Sequence, residues 1–256
     1  MSGRDGYFCG EQISLHFGGV IALRDAWFSV ARQSLQAVIG PNGAGKTSLF
    51  NVITGFYPMD TGDIRLEGRS LARLPSHRIA EAGIVRTFQN LELFTNMSVL
   101  ENVLTGGHLQ TRYGSLDLFV RSRRFHKEEQ ALRAQAEAAL EFVGLTERRD
   151  QNAGELPFGS ARLLEIARAL CAAPRILLLD EPGAGLNLRE KADLGRLIRR
   201  IVERGITVVM VEHDMELVMG ISDRVLVLNQ GEVIASGTPA EVQRDAAVIL
   251  AYLGEE

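Results

Sequence analysis

No apolar run in this 256-residue chain approaches the roughly 18 residues that carry a helix across a membrane. The N-terminus also lacks the apolar stretch of a secretory signal. Any work at a membrane would therefore pass through partners. A basic excess is missing as well, since 28 Lys and Arg stand against 32 Asp and Glu for a net charge of -4. Nucleic-acid binding needs a basic face and finds no electrostatic support here. Cysteine is scarce: Cys9 and Cys171 lie far apart and fit no metal-ligand spacing, so two reduced thiols in a cytosolic protein are expected. What remains, 46% hydrophobic and 23% charged, suits a globular protein with one large or two unequal domains.

The most informative stretch is Gly40-Pro41-Asn42-Gly43-Ala44-Gly45-Lys46-Thr47-Ser48. It fits Gly, four residues, Gly-Lys-Ser/Thr, a loop that cradles nucleotide phosphates. Closely spaced negative charges need many donors in a small volume. The glycines at 40, 43 and 45 let backbone N–H groups come close. Lys46 supplies a point charge for the outer phosphates, and the Thr47 hydroxyl suits Mg2+. Leu35 to Ile39 before the loop reads as a short buried strand. Ser48 to Thr54 after it reads as a helix stopped by Gly55. Strand, glycine-rich loop and helix together add the positive end of the helix to the site.

The flanking segments are predicted as follows. Gln12–Phe17 alternates and turns through Gly18-Gly19 toward a second strand at Ala26–Val30, so a hairpin is expected. Phe17 is either plain core or, if the phosphate loop folds beside it, an aromatic face for adenine. Ile64-Arg65-Leu66 lies between turns, which gives a mostly antiparallel sheet around the first unit. Leu71 to Ala82 is predicted helical and Ile84 to Gln89 a strand whose last residue opens a loop. The basic run Arg121 to Lys127 is a solvated face or a contact for lipid headgroups or an acidic partner. His126 to Val143 has helical spacing and stops at Gly144. Boundaries near 84 and 153 give residues 84–152 as a smaller helical subdomain, with 1–83 and 153–256 as the core.

Leu156-Pro157-Phe158-Gly159-Ser160 precedes an amphipathic helix through Leu170. Ile176 to Leu179 then reads as a strand buried on both faces, ending in Asp180-Glu181. Ligands of open α/β sheets bind at that edge. Asp180 there is placed to hold Mg2+, and Glu181 to orient or deprotonate water. The helix Arg189–Arg204 carries the stripe Leu194, Leu197, Ile198, Ile201 and Val202. Ile206 to Val211 is another buried strand that puts His213 at the same edge, near a terminal phosphate. A hairpin and a helix opening at Thr238-Pro239 complete the chain.

The ordered set of phosphate loop, Gln89, the 156–160 turn, Asp180-Glu181, the 184–187 loop and His213 resembles the ATP-binding-cassette (ABC) ATPases over essentially the whole chain. Stretches such as "GPNGAGKTSLFNVITGF", "LLLDEPGAGLN" and "VEHDMELVMGISDRVLVLNQG" look most like the ATPase subunits of branched-chain amino-acid importers, the longer of the two kinds. The resemblance implies an α/β P-loop NTPase fold: a mixed RecA-like core, an antiparallel β subdomain and a helical subdomain. It implies ATP and Mg2+ as ligands. Phe17 would stack on adenine, residues 40–48 would wrap the phosphates, and Thr47, Gln89 and Asp180 would arrange Mg2+ and water. Lys46, Glu181 and His213 would be catalytic, Glu181 as general base and His213 as γ-phosphate sensor. Leu156, Pro157, Phe158, Gly159 and Ser160 would act in trans on ATP held by a second ATPase subunit, identical or different. Two transmembrane permease subunits and, indirectly, a solute-binding protein would be the other partners, with the chain peripheral on the cytoplasmic face of the inner membrane. The family's signature is Leu-Ser-Gly-Gly-Gln, so Pro157 brings no hydroxyl and Ser160 stands where a long polar residue is usual. Asn187 stands where many relatives have Asp. Urea or another amino acid as solute stays open, as does a soluble cassette of DNA repair or translation, although such proteins usually carry coiled-coil insertions or tandem cassettes.

Overall fold

The computed structural model describes residues 6–87, 92–110 and 122–253. The chain forms two compact units. The first joins the residues up to Arg86 with those from Arg175 onward, and the second is Thr87–Pro174.

In the first unit, β1 (Phe8–Phe17), β2 (Val20–Val30), β4 (Thr61–Leu66) and β5 (Arg69–Ser70) make an antiparallel sheet in the order β2-β1-β4-β5. The other sheet runs β10-β9-β3-β8-β7-β6, from β3 (Leu35–Ile39), β6 (Ile84–Arg86), β7 (Ile176–Asp180), β8 (Thr207–Val211), β9 (Arg224–Asn229) and β10 (Glu232–Gly237). Every pairing in it is parallel except β9 with β10, which makes the sheet mixed as expected. All residues of β3, β7 and β8 are buried. That burial on both faces is why these strands are mostly aliphatic and do not alternate, with Gln36, Asp180 and Thr207 as their buried polar members. Between β3 and β4 lies helix α1 (Lys46–Ile53), and α2 (Ser76–Glu81) precedes β6.

The second unit contains α3 (Val99–Gly106), α4 (Arg123–Val143) and α5 (Phe158–Cys171), which pack on one another. α4 buries Leu132, Ala136, Ala139, Leu140, Phe142 and Val143 and ends at Gly144, where the sequence places its stop. Of the predicted basic run, the described residues form the first turns of α4, where Arg124 pairs with Glu128. Buried Asn102 on α3 pins the preceding loop, accepting from the Phe94 N–H at 2.9 Å and donating to the Phe94 and Ser98 carbonyls at 3.0 Å. Both cysteines are buried thiols outside any disulfide, and burial pushes the Cys171 thiol up to about 11, so it stays protonated.

Back in the first unit, the remaining helices are α6 (Leu188–Glu203), α7 (Met215–Ile221), α8 (Pro239–Val242) and α9 (Ala246–Leu253). α6 buries the five aliphatics named from its sequence, each worth about 1.5–3 kcal/mol.

Two expectations shift. The helix predicted from Leu71 begins only at Ser76, because Pro75 disfavours helical backbone at Leu74, and 71–74 form a turn closed by Leu74 N–H on the Leu71 carbonyl at 3.1 Å. The strand predicted to Gln89 is described only to Arg86. The two compact units part at 86/87, close to residue 84, and again at 174/175, with α5 packed on α3 and α4. A buried face on a helix does not reveal which neighbour covers it.

Candidate active site

β8 lies between β3 and β7, so the loops leaving these three strands open at one edge of the sheet. The loop after β3 is the glycine-rich stretch. Gly40 sits at φ +151°, and a Cβ there would lie 2.1 Å from the Leu228 carbonyl oxygen on β9. The loop is braced further on: the Ala44 carbonyl accepts from the Gly231 N–H at 3.0 Å, and the Gly231 carbonyl accepts from Arg24 at 2.9 Å. Lys46 is buried and donates from Nζ to the Gly40 and Pro41 carbonyls at 2.6 and 2.8 Å. Its first turn holds no acidic residue, and the first rung inside α1 is Leu49 N–H to the Gly45 carbonyl at 2.9 Å. The N–H groups of Lys46, Thr47 and Ser48 therefore point along the axis out of the positive helix end. An ammonium and a fan of backbone donors in one small loop is a site for a polyanion.

β7 ends in buried Asp180. Arg86, closing β6, donates from Nη2 to Asp180 Oδ2 at 2.6 Å and from Nη1 to Asn51 Oδ1 on α1 at 2.6 Å. Its guanidinium also lies 5.5 Å from the Phe50 ring centroid. One side chain thus ties the acid to the helix that follows the phosphate loop. Nothing in the periodicity around residue 86 signals this, and the only hint is a cation ending an apolar strand. Glu181 takes a left-handed backbone at φ +47°, which costs a non-glycine residue about 1–2 kcal/mol. Its Oε1 lies 2.9 Å from His213 Nε2. An ionised carboxylate only accepts, so Nε2 carries the hydrogen. Glu212, not singled out from sequence, is buried beside them. Asp214 caps α7 through Leu217 N–H and pairs with Lys191 at 2.6 Å, whose ammonium holds the Asp214 carboxyl below the usual carboxylate range.

Phe17 is exposed at the β1–β2 turn, with its ring centroid 5.1 Å from that of Tyr57 in an edge-on arrangement. The neighbouring His16 fixes the turn by bonding Asp60 through both its N–H and Nδ1 at 2.8 Å. Phe17 is therefore not core. Asn187 opens α6 with a capping box: its side chain accepts from Glu190 N–H at 3.0 Å, and the Glu190 carboxylate accepts from Asn187 N–H at 2.9 Å. Asn and Asp cap equally well, so Asn187→Asp should leave the urea midpoint nearly unchanged, whereas Asn187→Ala should cost about 1 kcal/mol.

In the second unit, Leu156-Pro157 leads into α5 with Pro157 as the residue before its first turn. Ala161 N–H bonds the Pro157 carbonyl at 2.9 Å, and the first turn, with Phe158, Gly159 and Ser160, contains no acid. Phe158 is exposed, its ring centroid 5.8 Å from the Arg162 guanidinium carbon. Gln89 lies outside the described residues.

Among the described residues, no three His, Cys, Asp or Glu side chains converge on one metal position. The donor set still fits Mg2+, which keeps waters and takes one or two protein oxygens beside phosphate oxygens. Asp180 and Thr47 supply that kind of oxygen.

Residues 23–184 match the family model described as "ABC transporter", and residues 232–256 match one described as "Branched-chain amino acid ATP-binding cassette transporter". The chain is 45% identical to the high-affinity branched-chain amino acid transport ATP-binding protein BraF of Pseudomonas aeruginosa, and 42% identical to the protein of that description, LivG, of Escherichia coli K12. Each match covers 95% of this chain and 96% of the relative. Among solved structures, the ADP conformation of MJ1267, an ATP-binding cassette of an ABC transporter, superposes with a TM-score of 0.85 at 33% identity, covering 98% of this chain and all of that one. Fold, phosphate loop and matches agree, and the chain belongs to the ABC transporter family as one of its ATP-hydrolysing cassettes.

Proposed function

We propose that this chain hydrolyses ATP to energise import of branched-chain amino acids, as one of two ATPase subunits docked on two permease subunits at the cytoplasmic face of the inner membrane. One observation supports the chemistry most: Glu181 and His213 stand 2.9 Å apart at the sheet edge where the Lys46-closed loop also opens. The choice of solute rests on the matched C-terminal stretch and on the relatives BraF and LivG.

In this reading, the N–H groups of Lys46, Thr47 and Ser48 and the Lys46 ammonium bind the phosphates, and Phe17 offers its exposed face to adenine. Mg2+, held by Asp180, Thr47 and Gln89, would neutralise charge between the outer phosphates. Glu181 takes a proton from the attacking water as its oxygen bonds the γ-phosphorus. The bond to the bridging oxygen breaks, and that electron pair leaves with ADP. His213, already donating from Nε2, holds Glu181 as an acceptor aimed at the water. The first turn of α5 in one subunit offers its N–H groups to ATP bound by the other, so ATP favours a closed pair and hydrolysis releases it.

The test of solute is reconstitution with the permeases and the binding protein. Turnover should rise several-fold, about 3–10-fold, with leucine, isoleucine or valine on the binding protein. Stimulation by urea and by none of these three would reassign the solute. A second measurement addresses the signature. Ser160→Gln should preserve the assembled transporter's ATPase rate or raise it by about threefold at most. A large loss would mean that Ser160 is adapted to the site it completes.

A further inference from the structure

We infer that Glu212 is the positioning residue that holds Glu181 and His213 in register, by spanning with one carboxylate the two loops where main-chain pairing has stopped. The inference rests on the reading of Glu181 and His213 as the pair that acts on ATP.

The parallel ladder between β7 and β8 ends at Asp180 opposite Val211, followed by one last bond from Glu181 N–H to the Val211 carbonyl at 2.9 Å. Past that rung the two chains part, one toward Gly183 and the other toward His213. Glu212 closes the gap. Its Oε1 accepts from the Gly183 N–H at 2.5 Å, and its Oε2 accepts from the His213 N–H at 3.0 Å and the Asp214 N–H at 3.4 Å. The residue is only 4% exposed, and a buried carboxylate is tolerated where several donors meet it. Space is fitted to the contact, since a Cβ on Gly183 would lie 2.7 Å from Oε1. Glu181 is two residues before Gly183, and His213 directly follows Glu212. Both catalytic side chains therefore leave segments whose spacing this carboxylate sets. Two acceptor oxygens are required, because the three groups they bond, the N–H groups of Gly183, His213 and Asp214, are all donors. A Gln side chain turns an NH2 toward one of these N–H groups, and an Asp side chain is one methylene too short to serve both loops.

The experiment measures kcat and KM for ATP in the assembled transporter for Glu212→Gln and Glu212→Asp, each with and without His213→Ala. Glu212→Gln should lower kcat by about tenfold to hundredfold, the scale of an ångström-level misplacement. KM for ATP should stay within about twofold, because the phosphate loop is untouched. Glu212→Asp should fall between. With His213 already removed there is no register left to hold, so Glu212→Gln should cost about threefold at most further. Equal losses in both backgrounds, or a loss carried by KM, would overturn the inference and leave Glu212 a brace for folding. If Glu212→Gln does not fold, Glu212→Asp carries the same comparison. His213→Ala turning over at the wild-type rate would instead overturn the reading of the catalytic pair.

Discussion

Glu181→Gln should reduce ATP turnover by about 10²–10⁴-fold, the contribution of a positioned general base. The substitution is nearly isosteric, and its amide oxygen can still accept from His213 Nε2, which sits 2.9 Å from the carboxylate. The left-handed backbone at this position is no harder for Gln than for Glu. Geometry is therefore kept while basicity is lost, and binding of ATP should change by about twofold at most. ATP-bound cassette pairs should then accumulate, visible by size-exclusion chromatography with ATP and Mg2+. Near-wild-type hydrolysis would remove Glu181 from the role of base, and a comparable loss of ATP affinity would make it a binding residue.

Gly40→Ala is expected to be the most damaging single methyl in the phosphate loop. The new carbon would sit 2.1 Å from a carbonyl oxygen of β9, on a backbone at φ +151° that side chains rarely adopt. A carbonyl in a sheet has no rotamer by which to yield, so either the loop or the strand must move. Strain of that kind together with overpacking amounts to about 3 kcal/mol or more, on the order of 100-fold in ATP affinity if it is taken up by the loop. Gly43→Ala is the control. Its Cβ meets nothing within 4 Å, leaving only the left-handed backbone at φ +78° to disfavour it. That is about 1–2 kcal/mol, or about tenfold in affinity. Titration of a fluorescent ATP analogue against both variants, with thermal melts alongside, checks the contrast. Equal affinities for the two variants would show that contact with β9 does not shape the loop.

The parts of the molecule legible in its sequence share one property, that local composition determines them. Leu35–Ile39 is a buried strand with the bounds read from its aliphatic run, and the five buried aliphatics of α6 are those its helical spacing singled out. The phosphate loop is legible for the same reason, since its glycines, Lys46 and Thr47 are contiguous. Glu181 and His213 could be placed at one edge because each follows a run of buried aliphatics, but nothing short of the structure puts them 2.9 Å apart. Arg86 reaches Asp180 across 94 positions, and Glu212 reaches Gly183 across 29. Such ties join a side chain to whatever the sheet order brings alongside, and no periodicity along the chain records that order. The start of α2 is a different case, because Pro75 is itself a local signal that the residue before it is not helical.

The position of β3 in its sheet has a consequence for the protein as it leaves the ribosome. Its two neighbours are β8 and β9, and the Leu35 N–H bonds the Asp223 carboxylate, 188 residues downstream. At about 5–20 residues per second of synthesis, that separation is a delay of about 10–40 s. Until β8 emerges at Thr207–Val211, Leu35 to Ile39 is a mainly aliphatic strand with both edges open and neither partner yet made. Pairings so distant in sequence also close slowly once their strands exist. The nascent chain thus exposes a sticky segment over that interval, the kind of surface a holding chaperone binds. A nucleotide added during translation would find no competent site until the hairpin of β9 and β10 has emerged.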